Sequence, residues 1–331
     1  MKLAILGAGA WGTALSVALA PQHRVTLWGR DAIQCRELEQ SRCNRRYLSD
    51  VGIPDNVRIT GDFDEVLALC ELIVVAVPTS ALRETLKRVA ANGATKAGVV
   101  WLCKGFEAGS ARFPHQVAEE ELPSSQPRAA LSGPSFAAEV ARGLPAAVTV
   151  ASVDPGFATL ASREMHTGRL RVYSSDDLIG VETGGAVKNV IAIAAGVCDG
   201  LNLGASARAA LITRGLAEIT RLGLRLGGRK ETFIGLAGAG DLMLTATSDL
   251  SRNRRVGLHL ALGHRLNDIL DRLGHVAEGV HSAREVLRLA QKLEVDMPIT
   301  RAVSQLLDGK TSASDLLNEL LQREPKQESG R

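Results

Sequence analysis

The chain has 331 residues, 45% hydrophobic and 23% charged, which is long enough for two domains with sizeable cores. Aromatic residues reach only 3%, too few for a base-stacking surface. The net charge of +3 arises from 39 Lys and Arg interleaved with 36 Asp and Glu, leaving no basic tract suited to nucleic acid or an anionic membrane. The five cysteines (Cys35, Cys43, Cys70, Cys103, Cys198) and seven histidines match no disulfide framework and no metal-ligand spacing, so the expectation is reduced thiols, a cytoplasmic setting and no metal.

The N-terminal MKLAILGAGAWGTALSVALAPQ imitates a secretory signal, but Gly7, Gly9 and Gly12 interrupt its apolar run and Pro21 follows the small residues. KLAIL (2–6) reads instead as a strand, and GAGAWG (7–12) directly after it fits G-x-G-x-x-G at the start of a helix. That is the setting in which glycines admit a pyrophosphate to the backbone and a helix N-terminus faces the anion. RVTLW (24–28) is the next strand and ends in Gly29 and Arg30. An acidic residue there would hold a ribose 2′-OH, whereas Arg30 suits a 2′-phosphate, so NADPH is favoured over NAD, with adjacent Asp31 blurring the assignment. VRIT (57–60), LIVVAV (72–77), GVVWLC (98–103), RAALS (128–132), AAVTVAS (146–152) and RLRVYSS (169–175) continue the strand series, with helical stretches between them.

After residue 176 the period becomes helical almost throughout. The expected fold class is therefore α/β, a Rossmann-type doubly wound parallel sheet over 1–176 followed by an all-helical domain over 177–321. QREPKQESGR (322–331) reads as a disordered tail. No segment is expected to cross a bilayer. Within the helical half, GGAVKNVIAIAAGVCDG (184–200) carries a lone Lys188 among residues any fold would bury. An ammonium there loses hydration and its pKa falls unless it is paired, so Lys188 is expected to face a polar cleft. GLAGAGD (235–241) lacks a preceding strand and reads as a tight turn that aims Asp241 from a helix start. SRNRR (251–255) offers hydroxyl, guanidinium and amide donors suited to a phosphate.

Taken together, GAGAWGTALS, VPTSALRETL, CKGFE, LSGPSFAAEV, GVETGGAVKN, GLAGAGD, SRNRR and HVAEGV closely resemble the bacterial NAD(P)-dependent glycerol-3-phosphate dehydrogenase family, from residue 3 to about 310. The resemblance implies a helical domain of the 6-phosphogluconate dehydrogenase type and reduction of dihydroxyacetone phosphate to sn-glycerol 3-phosphate, a phospholipid precursor. It makes Lys188 the catalytic acid/base, and it puts Lys104, Gly133, Ser135, Asp241, Ser251, Arg252 and Asn253 against the substrate. Gly7, Gly9, Ala10, Trp11, Gly12, Arg30, Lys104, Ala137, Arg252, Val276 and Glu278 would meet the cofactor, NADP or NAD. Ala10 stands where relatives often carry a small polar residue. The implied partner is a phosphorylated triose, and a homodimer is compatible with this reading. The competing expectations are a β-hydroxyacid or 6-phosphogluconate-type dehydrogenase, which would not need GAGD and SRNRR, and a dinucleotide-sensing regulator, which would not need Lys188.

Overall fold

The computed structural model describes residues 1–93, 96–273 and 277–316; Val276 and the 322–331 segment lie outside them. Among the described residues the strands are β1 (Lys2–Leu6), β2 (Arg24–Trp28), β3 (Cys43–Asn44), β4 (Leu48–Gly52), β5 (Arg58–Thr60), β6 (Leu72–Val75), β7 (Gly98–Trp101), β8 (Arg128–Ser132), β9 (Ala146–Ala151) and β10 (Leu170–Ser175). All but β3 and β4 join one sheet in the order β10-β9-β8-β7-β6-β1-β2-β5. Helices cover both faces, so β6 reads LIVV and is buried at every position.

The chain leaves β1 toward β2 and β5, then returns to pair β6 with the other side of β1, Leu3 opposite Leu72 and Leu6 opposite Val75. The boundary between β1 and β6 is therefore the point where strand order reverses, and a crevice opens there beyond the carboxyl ends of the strands.

The sheet departs from the expected all-parallel form at one place. β8 and β9 run antiparallel, with Ala130 opposite Ala151 and Ser132 opposite Thr149. The connection between them contains only the five-residue helix Ala137–Ala141, too short to carry the chain back along a full strand, as a parallel crossover requires. A second difference is the antiparallel β3–β4 hairpin, whose charged sequence RCNRRYLSDVG gives little alternation to read. Its buried Asn44 donates from Nδ2 to the Ala8 carbonyl at 3.1 Å and to Thr13 Oγ1 at 2.7 Å, propping the glycine-rich loop from below.

The helical half is organised around Leu178–Gly200, buried without a break from Gly180 to Cys198. Asp177 caps it, its Oδ1 accepting from the Gly180 amide at 2.9 Å. Contrary to the sequence expectation, this helix is long and apolar enough to cross a bilayer, but 94% of its most apolar window is buried inside the protein, so it is a core helix. The helices Gly204–Arg225, Asp241–Thr247, Arg252–Ala261 and Glu278–Lys292 surround it. Its crossing with Arg252–Ala261 is nearly backbone on backbone. A Cβ on Gly196 would sit 1.9 Å from the Arg254 carbonyl oxygen, and one on Gly257 1.9 Å from that of Ile193. That close crossing sets where SRNRR stands relative to Lys188.

Candidate active site

The three fingerprint glycines serve three different needs. Gly7 has φ +120°, a conformation other residues avoid, and turns the chain out of β1. Gly12 has no space for a side chain, since a Cβ would lie 1.8 Å from the Gly7 carbonyl oxygen. Gly9, next to the start of helix Ala10–Leu19, faces open space with nothing within 4 Å of a built Cβ. A tight turn, an open backbone approach and a close helix-to-strand contact together fit a dinucleotide pyrophosphate at this helix N-terminus. At the end of β2, Gly29 is buried against Cys35 and Arg30 is exposed. Asp31 is occupied as the cap of helix Ala32–Ser41, accepting from the Ile33 and Gln34 amides. Arg30 is thus the strand-end side chain turned outward.

Across the crevice, Lys188 and Lys104 converge on one carboxylate. Asp241, fully buried, accepts from Lys188 Nζ at Oδ1 and from Lys104 Nζ at Oδ2, the latter at 2.6 Å. Lys188 also donates to Thr245 Oγ1 at 2.9 Å, and Lys104 reaches the Gly133 carbonyl at 3.4 Å. Burial pulls the Lys188 ammonium down from the ordinary lysine value to about 7; Asp241 opposes that shift and Lys104 reinforces it. Burial pushes the Asp241 carboxyl upward, but the two ammonium groups outweigh it and hold it below the usual carboxylate range. Lys188 is therefore a paired, buried amine poised near neutrality, as its place in an apolar helix led one to expect, with Asp241 and Thr245 as the polar side of its surroundings.

GLAGAGD also takes a different form from the expected tight turn. Leu236–Gly240 is one π-helical turn that runs directly into Asp241–Thr247, placing Asp241 as that helix's first residue. The glycines allow close nesting: a Cβ on Gly238 would meet the Phe233 carbonyl oxygen at 2.1 Å, and one on Gly184 the Ala237 carbonyl oxygen at 2.4 Å. Single π turns of this kind occur mostly at functional positions.

The other expected residues divide by what occupies them. Ser251 caps helix Arg252–Ala261, its Oγ accepting from the Arg254 amide at 3.2 Å while its hydroxyl hydrogen remains to donate. Arg252 is exposed at that helix start. Asn253 is buried and engaged on both sides, donating to Asn189 Oδ1 and accepting from the Gly279 amide, each at 3.0 Å. Arg254 is held by Asp199 at 2.7 Å and by Asp249 at 2.5 Å, which fixes the turn. Glu278 opens helix Glu278–Lys292. Burial pushes its carboxyl up to about 7, and Lys104, Lys188 and Arg252 pull against that shift, so it belongs to the same charged group. Gly133 (φ +137°) and Ser135, whose Oγ donates to the Gly133 carbonyl at 3.0 Å, follow β8 beside Lys104, and Ala137 is buried at its helix start. Trp11 and Ala10 open the helix after the glycine loop. Sequence reasoning missed Thr245, although its position four residues after Asp241 puts both on one helix face. It also missed Ser132, whose Oγ lies 3.5 Å from Asp241 Oδ2. Among the described residues no group of three or more His, Cys, Asp or Glu could hold a metal ion.

A doubly wound sheet with an open glycine loop at its switch point, followed by a helical C-terminal region that buries a paired lysine, defines a dinucleotide-binding protein. Family models described as NAD-dependent glycerol-3-phosphate dehydrogenase N-terminus and C-terminus match residues 2–158 and 177–318. The chain belongs to that family. It is 58% identical over 332 aligned residues to the glycerol-3-phosphate dehydrogenase [NAD(P)+] of Nitrosospira multiformis, covering 99% of each chain. It is 56% identical to that of Dechloromonas aromatica, again over 99% of each. The crystal structure of glycerol-3-phosphate dehydrogenase from Coxiella burnetii superposes with a TM-score of 0.92 at 41% identity, covering 97% of this chain and 99% of that one. D-mandelate dehydrogenase, at 14% identity and a TM-score of 0.64, shares the fold.

Proposed function

We propose that this protein reduces dihydroxyacetone phosphate to sn-glycerol 3-phosphate, with NADPH or NADH as reductant. The observation that carries the reading is the buried Lys188–Asp241–Lys104 arrangement, its Lys104 three residues past the carboxyl end of β7, in a chain of this family. When bound, the nicotinamide supplies a hydride to a carbonyl carbon. As negative charge grows on the carbonyl oxygen, Lys188 donates the proton and becomes the neutral amine its burial already favours. Asp241 and Thr245 hold that ammonium in one orientation, and Lys104 adds positive charge without adding a second hydrogen-bonded anion.

The phosphate end of the substrate is assigned to the start of helix Arg252–Ala261. There the Ser251 hydroxyl, the Arg252 guanidinium and the remaining Asn253 amide hydrogen are donors, and the helix N-terminus favours an anion. Gly133 and Ser135 line the same crevice beside Lys104. Gly7, Gly9, Ala10, Trp11 and Gly12 would hold the pyrophosphate side, Arg30 the adenosine ribose, and Ala137, Arg252 and Glu278 the nicotinamide side. Exposed Arg30, with Asp31 engaged elsewhere, supports a preference for NADPH. The product chemistry suits glycerophospholipid supply, and five unpaired cysteines suit a reducing cytoplasm.

The test is to mix purified protein with NADPH and dihydroxyacetone phosphate and follow loss of the reduced cofactor, with NADH, unphosphorylated dihydroxyacetone and a hydroxyacid panel as controls. Phosphate-dependent oxidation of NADPH is expected. Turnover only with a hydroxyacid's keto form would replace the reading.

A further inference from the structure

Beneath the reacting cluster lies a second buried polar group. Glu182, 4% exposed at the side chain, stands on the same helix as Lys188. Its Oε1 accepts from Trp101 Nε1 at 2.7 Å and from the His115 amide at 3.1 Å, and its Oε2 is paired with His115 Nδ1. The His115 ring stacks on Phe113 at 5.6 Å between centroids, which leaves it little freedom to swing away. Trp101 is the last residue of β7, and Lys104 follows it by three positions.

The β7 segment and the Leu178–Gly200 helix are therefore fastened at two levels. The lower tie is Trp101 and His115 on Glu182; the upper one is Lys104 on Asp241, which in turn holds Lys188. Between them, Gly185 lets the helix lie flush on the sheet edge, since a Cβ there would be 2.8 Å from Ser132 Oγ and 3.5 Å from the Lys104 stem. A small cavity lined by Cys103, Lys104, Ser132, Glu182 and Gly185 separates the two ties. The upper tie must loosen and re-form as substrate enters and a proton moves. The lower one lies outside that path and has no such duty.

We propose that Glu182 is a positioning residue for turnover, its carboxylate locking the Leu178–Gly200 helix to β7 through Trp101 and to the helix Pro114–Glu121 through His115, so that Lys188 and Lys104 address one point. A carboxylate receiving three donors in a buried site is an expensive way to obtain mere adhesion, because apolar packing of the same volume would serve as well. What the directed hydrogen bonds supply is register, and a displacement of about an ångström at the reacting groups is enough to slow catalysis greatly. The inference rests on the functional reading above for its kinetic consequence, but not for its structural one.

The experiment uses Glu182→Gln and Trp101→Phe in the full chain, with two readouts. The first needs no substrate: spectra of ¹³Cε-lysine-labelled protein, with Lys188→Met identifying the Lys188 signal, follow its titration. Loosening the helix admits water, and since burial is the main cause of the depressed Lys188 value, the transition should move upward by about half a pH unit or more. The second readout compares kcat with the dissociation constant for NADPH. A fall in kcat of about tenfold is expected, with NADPH affinity within about twofold, because the glycine loop follows β1, separated by β6 from the β7 strand that Glu182 holds. A Lys188 titration identical to wild type in both variants overturns the proposal, as does unchanged kcat in folded protein that has only lost melting temperature. If Glu182→Gln fails to fold, Trp101→Phe, which keeps an aromatic ring in the core and removes one donor, decides the matter alone. Absence of wild-type turnover would sink the functional reading, and the titration would still judge this one.

Discussion

Lys104 and Lys188 reach the same buried carboxylate from opposite sides, Lys104 from the end of β7 and Lys188 from the central helix, with Asp241 taking one ammonium on each oxygen. With Lys188 protonated, the two ammonium groups outnumber the carboxylate they share. A forming alkoxide on a phosphorylated substrate requires that excess, and the scaffold supplies it before the substrate arrives.

Replacing Lys188 by methionine keeps the apolar stem and removes the ammonium, while Asp241 retains Lys104 as a partner. Folding and NADPH binding should persist, and turnover should fall by roughly a hundredfold or more, the scale of a lost general acid. Circular dichroism and cofactor titration check the first point and steady-state rates the second. A folded variant with near wild-type turnover would remove Lys188 from the chemistry.

The pH dependence follows from the depressed Lys188 value. Reduction needs the ammonium and oxidation of glycerol phosphate needs the amine, so with a transition at about 7 the reductive rate should fall and the oxidative rate rise as pH passes through neutrality. Stability has its own sign. Between about 7 and the ordinary lysine value of 10.5 the folded state holds fewer protons at this site than the unfolded chain, so stability should increase with pH across that window. The difference between wild type and Lys188→Met in urea unfolding isolates this contribution.

Thr245→Val removes the hydroxyl oxygen that accepts from the Lys188 ammonium and keeps the shape. The charged form loses a partner, so Lys188 should titrate lower still and the alkaline fall of the reductive rate should begin earlier. A pH profile superimposable on wild type would show that Asp241 alone orients the amine.

The glycine loop allows a contrast between two neighbouring positions. Gly9→Ala meets open space and should fold normally, while NADPH affinity falls by about tenfold or more as the methyl group intrudes on the pyrophosphate side. Gly12→Ala drives a carbon into the Gly7 carbonyl and should lower the melting temperature markedly, at a cost of about 1–3 kcal/mol. Equal effects of the two on stability would contradict the division of roles.

Arg30→Asp should shift preference from NADPH toward NADH, since a carboxylate repels the 2′-phosphate and accepts from the ribose hydroxyl. Because Asp31 remains the cap of the following helix, the variant should keep its fold. An unchanged ratio of rates with the two cofactors would place Arg30 away from the adenosine.

Local pattern was enough for much of this. The alternation of short apolar runs with helical periods made the sheet readable, and GAGAWG behind a strand marked the glycine turn into the first helix, because such signals lie within a few residues of one another. Lys188 could be singled out for the same reason, as a charge in a run that had to be buried. What surrounds it could not be read that way. Asp241 and Thr245 lie 53 and 57 residues from Lys188, Trp101 lies 81 residues from Glu182, and Asn44 reaches the glycine loop across 36. These partners are chosen by helix crossings and strand order, and no local period encodes them. The antiparallel β8–β9 pair and the π turn before Asp241 have the same origin, a short connection in one case and close backbone packing in the other. Sequence alone determined which residue types were available for the chemistry. Only the tertiary structure decided that Lys188 is buried and paired, because its protonation depends on groups brought together by packing over the whole chain.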